Sequence, residues 1–136
     1  MRHVSYELNE ELEKSIDYQM EAIMISEMLL GRIHPRTQLS YQRAGEKLDA
    51  YGDWKLALKY LYEAFDIQLK ISGEPTFELA DLCHRIGSLH YVLNDYENAK
   101  RMVENAINIL SDVDDNHPLI KDWQKHLLTI NENNKA

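Results

Sequence analysis

Cys83 and His84 are the pair whose types suggest chemistry most directly, a thiol nucleophile beside a base. Adjacent side chains on a helix diverge by about 100°, so the two do not face each other. Cys83 also falls at a packing position, where a free thiol behaves as a small buried hydrophobe. Asp112-x-Asp114-x-Asn116 sets oxygen ligands at alternate positions, as a calcium loop requires. His117 then stands where the sharp turn needs glycine, and Trp123 where the bidentate carboxylate belongs, so the segment reads as a polar interhelix loop. His34 and His117 each precede a proline in corresponding loops two hairpins apart, which suits hydrogen-bonding caps and not paired metal ligands. There is no glycine-rich phosphate loop, no Gly-x-Ser-x-Gly elbow and no His-Glu-x-x-His. A single cysteine excludes a disulfide framework and a multi-thiolate zinc site. The chain is therefore expected to be no enzyme, with no catalytic residue, no metal and no cofactor.

The elements that would carry any other function follow from internal repetition. Tyr41-Gln-Arg-Ala-Gly-Glu-Lys-Leu48 parallels Cys83-His-Arg-Ile-Gly-Ser-Leu-His90, and each is followed by a short turn, Tyr51-Gly-Asp-Trp54 or Leu93-Asn-Asp-Tyr96. The pairs Gly45/Gly87, Trp54/Tyr96, Ala57/Ala99, Ala64/Ala106 and Ile67/Ile109 share one spacing of 42 residues. One further step back from Ala64 and Ile67 reaches Ala22 and Ile25. A fixed period of this length marks stacked supersecondary units.

Each unit is a helical hairpin. Apolar residues recur at three- and four-residue steps over 38–48 and 56–69, and no segment sustains the alternation of a strand. Ser40 and Asp53 stand near helix starts, and Gly52, Gly73 and Asn94 near stops or turns. Pro35, Pro75 and Pro118 are expected to open the first helix of successive hairpins, where a missing N–H costs nothing. Helices are predicted over 9–30, 36–51, 54–70, 76–93, 96–111 and 117–131. Gly45 against Ala57, and Gly87 against Ala99, permit helix axes to approach to about 8–10 Å. Trp54 and Tyr96 are expected to cover the hinges. Ile120, Trp123, Leu127 and Leu128 give the last helix the one-sided stripe of a cap.

The series Gly45, Trp54, Ala57, Ala64 and its repeat Gly87, Tyr96, Ala99, Ala106 resembles the signature of the tetratricopeptide repeat (TPR). That repeat is usually about 34 residues long, and the longer spacing resembles the kinesin-light-chain variety, as do Ile33-His-Pro35 and Asn116-His-Pro118. The resemblance covers about residues 11–131 and implies an all-α, right-handed stack of antiparallel hairpins, a TPR-like superhelix. It comprises two full repeats, a preceding half repeat and a C-terminal capping helix. Residues 1–10 are then an N-terminal extension or truncated helix, and 132–136 a polar tail. Gln42-Arg43 and His84-Arg85 replace the asparagine pair of kinesin light chains, and Gln42 and Glu46 replace the lysine and asparagine of the carboxylate-clamp type. Neither peptide specificity is implied. The segments Ala106–Leu110 and His117–Ile120 also resemble the C-terminal helical region of SET-and-MYND lysine methyltransferases, which implies a non-catalytic segment of a larger enzyme.

In a TPR architecture the first helices line a concave face. The repeat register puts Gln42, Glu46 and Asp49 on it, then Asp81, His84, Ser88 and Tyr91, then Trp123 and His126 of the cap. Aromatic anchors among acids suit a protein or peptide partner with basic and apolar side chains. Trp123 reads equally as cap core. Met20, Met24 and Met28, with Ile16 and Ile23 close by, form a stripe on the N-terminal helix. Because few residues precede that helix, part of the stripe is expected to stay open, in an excised piece of a longer array or in a homodimer.

Composition is compatible with this reading. The chain has 136 residues, 44% apolar, with 15 Lys+Arg against 23 Asp+Glu. Seven of those acids, against two bases, fall in residues 1–30. The acidic balance argues against nucleic acid as main partner, and no apolar run approaches membrane length. With no signal-peptide pattern in MRHVSYELNE, a cytoplasmic protein-binding adaptor or scaffold is expected.

Overall fold

Helix ends are set by local capping chemistry. The computed structural model describes residues 2–135, with side chains from Asn9 onward. They form α1 (Arg2–Leu30), α2 (Pro35–Tyr51), α3 (Trp54–Ile71), α4 (Phe77–Val92), α5 (Tyr96–Val113) and α6 (Pro118–Asn134). No strand occurs among the described residues. His34 and His117 cap α2 and α6: each Nδ1 accepts from a backbone N–H two residues on, at 3.0 Å from Arg36 and 3.1 Å from Leu119. Pro35 and Pro118 follow as the first helical residues. Asp53 and Asp95 cap α3 and α5 by accepting from the N–H groups of Leu56 and Asn98. Gly52 closes α2 at φ 99, and its N–H donates to the carbonyls of Leu48 and Asp49. Asn94 adopts φ 63 in the corresponding turn after α4.

Several expected boundaries move. Pro75 lies outside α4, and Thr76 caps that helix through a hydroxyl accepting from Leu79 N–H at 3.1 Å. Ser40 lies inside α2, not at a helix start. α1 is continuous from Arg2, so residues 2–10 extend the helix expected to begin near 9; Met1 lies outside the described residues. α6 runs on to Asn134, because Asn133 Nδ2 donates to the Tyr91 hydroxyl at 2.6 Å and holds the final turn. Most of the expected polar tail is thus helical, and Ala136 lies outside the described residues.

The helices gather into two compact units, one ending at Ser72 and the other beginning at Gly73. In the N-terminal unit α1 packs on α2 and α2 on α3. Ala57, Leu61, Ala64 and Ile67 form the buried stripe of α3. Trp54, the first residue of α3, is 41% exposed, so its ring is only partly covered. Thr37 is fully buried and donates to the Gly31 carbonyl at 2.8 Å, tying the end of α1 to the first turn of α2. Gln19 Nε2 donates to the Ser40 carbonyl at 3.2 Å, and the Tyr41 hydroxyl donates to the Glu27 carboxylate. Burial foremost, then the Glu27 carboxylate, pushes that phenol well above its ordinary range. Arg32 bridges Glu63 at 2.6 Å and Asp66 at 3.0 Å, which orients the α1–α2 loop on α3. Half-exposed pairs of this kind add about 1 kcal/mol or less each.

In the C-terminal unit α4 packs on α5 and α5 on α6. Cys83 is buried, which pushes its thiol up to about 12 and leaves it inert. Tyr96 is half-buried, with its ring 5.6 Å from that of Tyr91. The buried stripe of α6 is Ile120, Trp123 and Ile130. Leu128, expected within that stripe, points away from it and is exposed.

Both hairpin crossings close on glycine. A Cβ on Gly45 would sit 2.5 Å from Leu61 Cδ2 and 3.2 Å from the Ala57 carbonyl oxygen. On Gly87 it would sit 2.8 Å from Val103 Cγ2 and 3.2 Å from the Ala99 carbonyl oxygen. Gly45→Leu and Gly87→Leu are each expected to cost about 2–3 kcal/mol through overpacking. Urea unfolding of the two variants measures this, and midpoints equal to wild type would refute the close crossing.

Candidate functional site

On α4, Asp81, His84, Ser88 and Tyr91 recur at three- and four-residue steps, and on α6 Asp122, His126, Thr129 and Asn133 do the same. Such steps put each set on one helix face, and side chains of the two faces meet. His84 Nε2 and His126 Nδ1 are 2.9 Å apart, a hydrogen bond in which one ring donates and the other accepts. The His84 ring stacks on Trp123, with centroids 4.6 Å apart and planes 10° apart, and on His126 at 5.1 Å and 23°. Seven residues further along α4 the Tyr91–Asn133 bond makes a second clasp.

Two hollows flank this line of contacts. One, of about 260 Å³, is lined by Ser88, Tyr91, Val92, Val103, His126, Thr129 and Ile130. Its walls are largely apolar, with Val103 of α5 among them. The other, of about 420 Å³, is lined by Asp81, His84, Leu119, Asp122, Trp123, Lys125 and His126. His126 borders both. One hollow can take an apolar side chain, and the other offers carboxylates and an ammonium to polar groups beside it.

The structure brings together Asp81, His84, Ser88, Tyr91, Trp123 and His126 of the residues predicted from the sequence. Trp123 needs correction as an open anchor: it is 3% exposed and forms the floor on which His84 stacks. Asp81 already holds Arg85 at 3.1 Å, so its charge is partly satisfied within α4. Gln42, Glu46 and Asp49 belong to α2 of the N-terminal unit. There Gln42 accepts from Gln38 at 3.0 Å, Glu46 is half-buried and Asp49 exposed. None of the three lines the hollow of that unit formed by Ile16, Asp17, Leu48 and Tyr51 with Glu13 and Asp53. The methionine stripe divides: Met20 is half-buried, whereas Met24 and Met28 are exposed. Asp122, Thr129, Ile130 and Asn133 were missed, although their spacing on α6 carried the signal. Among the described residues no group of three or more His, Cys, Asp or Glu side chains is placed to hold a metal ion. No helix of the described residues is long and apolar enough to cross a membrane.

Burial foremost, then the neighbouring His126, lowers the His84 imidazole from 6.5 to about 4, against a smaller opposite pull from Asp81. His90 is also lowered, chiefly by burial. An imidazole whose pKa is lower in the folded state takes up its proton more readily when unfolded, so acid favours unfolding. Stability is therefore expected to fall as pH drops from 6.5 towards about 4. His84→Phe keeps a flat ring on Trp123 without the titration. Thermal melts across this window should show a shallower pH dependence in the variant, with the His90 contribution remaining in both. Parallel curves would refute the assignment.

Residues 39–130 match the model of the family described as Anaphase-promoting complex subunit 5. The clustered mitochondria protein homolog of Danio rerio is 33% identical over 96 residues, covering 71% of this chain and 7% of that protein. Its Homo sapiens counterpart is 29% identical over 96 residues, with the same coverage. The chain thus spans 7% of the length of these curated relatives. Among solved structures, a Podosopora anserina kinesin-light-chain-type protein of nearly identical TPR-like repeats superposes with a TM-score of 0.80 at 17% identity, over 96% of this chain and 63% of that one. BtubC (BKLC) from P. vanneervenii gives 0.83 at 17% identity, over 92% and 50%. These likenesses establish the TPR-like fold, and none of the proteins named here is a SET-and-MYND methyltransferase. With about two thirds of its length matched to the family model, this all-α, TPR-like chain belongs to the Anaphase-promoting complex subunit 5 family.

Proposed function

We propose that the chain is a non-enzymatic protein-binding module, a scaffold or adaptor, that seats a partner segment in the groove between α4 and α6. The observation that carries this reading is the apolar hollow beside Tyr91, Val103 and Ile130, open at a line of polar side chains. An apolar side chain of an extended or helical segment fills it and displaces water, while Ser88, Thr129 and His126 at its margin offer hydrogen bonds. A basic residue of the same segment meets Asp122 in the neighbouring hollow, where Asp81 is shared with Arg85. The TPR-like fold supports this use, since hairpins with packed inner faces leave helix surfaces free for a ligand. A cytoplasmic site of action fits the same reading.

A displayed library of short peptides selected on the intact chain tests the groove. Enrichment of an apolar residue with a basic neighbour is expected. Thr129→Trp, which fills the hollow from its exposed rim, should weaken the selected peptides at least about tenfold, a loss of roughly 1.4 kcal/mol. Asp122→Lys should flatten the salt dependence of binding. No enrichment, or equal binding by wild type and Thr129→Trp, would overturn the proposal.

A further inference from the structure

The 42-residue register makes α1 the counterpart of α3 and α5, and the comparison exposes a difference. Tyr60 of α3 places its ring 5.8 Å from Tyr41 of α2, and the corresponding Met102 of α5 is 4% exposed. The corresponding residue of α1, Tyr18, is 72% exposed. Ile67 is fully buried, whereas its counterpart Ile25 is 49% exposed. Met28 and Leu29, at 77% and 74%, continue the same face one turn on, and Met24 at 65% borders it. The opposite side of α1, with Gln19 and Ile23, is the one packed on α2. α1 therefore keeps the apolar pattern of a helix covered on two sides while this chain covers one.

We propose that a second copy of this chain covers the other, the two α1 helices packing antiparallel about a two-fold axis near Ile25. Three features favour that occupant. Tyr18, Ile25, Met28 and Leu29, 72%, 49%, 77% and 74% exposed on one face of α1, together offer on the order of 500 Å² per copy, the larger part of what one partner contributes to a standard interface. An apolar face on a single helix can meet its own copy across a two-fold axis, as an isologous interface demands. Charge agrees as well: Glu10, Glu11, Glu13 and Asp17, with Lys14 among them, precede the patch, exposed Glu21 lies within its span, and Arg36 follows it. An antiparallel pair sends the acidic halves of the two copies to opposite ends and carries each towards the partner's Arg36. A parallel pair would set like charges side by side.

Sedimentation equilibrium of the intact chain at micromolar to millimolar concentration tests this directly. A dimer is expected, and Met28→Glu combined with Leu29→Glu should raise its dissociation constant at least about a hundredfold. Both side chains are exposed, so the helical circular dichroism of the double variant should match wild type. Ile25→Cys should form an interchain disulfide under mild oxidation, and Lys55→Cys on α3 should not, with buried Cys83 inert in both. A chain that remains monomeric at millimolar concentration would overturn the proposal and leave the face to a helix from another protein. So would a dimer untouched by the double variant, or one cross-linked equally at Lys55→Cys.

Discussion

The absence of a side chain at Gly45 and Gly87 is the constraint on which each hairpin depends. The space a Cβ would need is held at Gly45 by Leu61 and the Ala57 carbonyl, and at Gly87 by Val103 and the Ala99 carbonyl. A helical glycine costs about 1 kcal/mol of propensity relative to alanine. What offsets that cost is the approach it permits, which lets fully buried Ala57 and Ala99 pack against the facing helix. Once the crossing is fixed, the polar capping at either end follows. Asp53 and Asp95 begin the second helices immediately after turns closed by Gly52 and Asn94.

The same constraint positions the groove. Because α5 lies close against α4 at Gly87, α6, packed on α5, comes near enough to α4 for side chains to meet. His84 then bonds His126, and Tyr91 takes a hydrogen bond from Asn133. These contacts hold the two helices at a separation that leaves hollows beside the contact line, with Val103 deep in the apolar one. The groove is thus a by-product of hairpin packing, and its chemistry is written by residues the packing leaves free. This is how one repeat fold can serve unrelated partners, with the core positions constant in type and the groove positions open to change.

The apolar faces have different fates. In α3 and α5 the stripes are buried within the respective units, and the residues capping them are polar. In α1 the side facing α2 buries Ile23 and carries polar ties, Gln19 on the Ser40 carbonyl and Tyr41 on Glu27, while Tyr18, Ile25, Met28 and Leu29 stay open on the other side. Burial of the outward side by a second copy would remove from water the type of surface that already drives the hairpins together.

The period, the hairpin and the small-residue crossings were legible in the residues, because each depends on local spacing: helix faces follow from three- and four-residue steps, and glycine opposite alanine declares a close contact. His34 and His117 as caps followed likewise from the His-Pro pairs, since the bond each makes is only two residues long. What the tertiary structure decided lay between elements. Trp123 is chemically fit for a groove or a core, and only the approach of His84 over its ring assigns it to the floor. Asp81 is an acid in the sequence, yet Arg85 one turn on shares its charge. The methionine stripe divides because α2 covers one side of α1 and leaves Met24 and Met28 open. A sequence records which faces are apolar; which neighbour covers each face is settled when helices choose partners, since burial is a property of the pair.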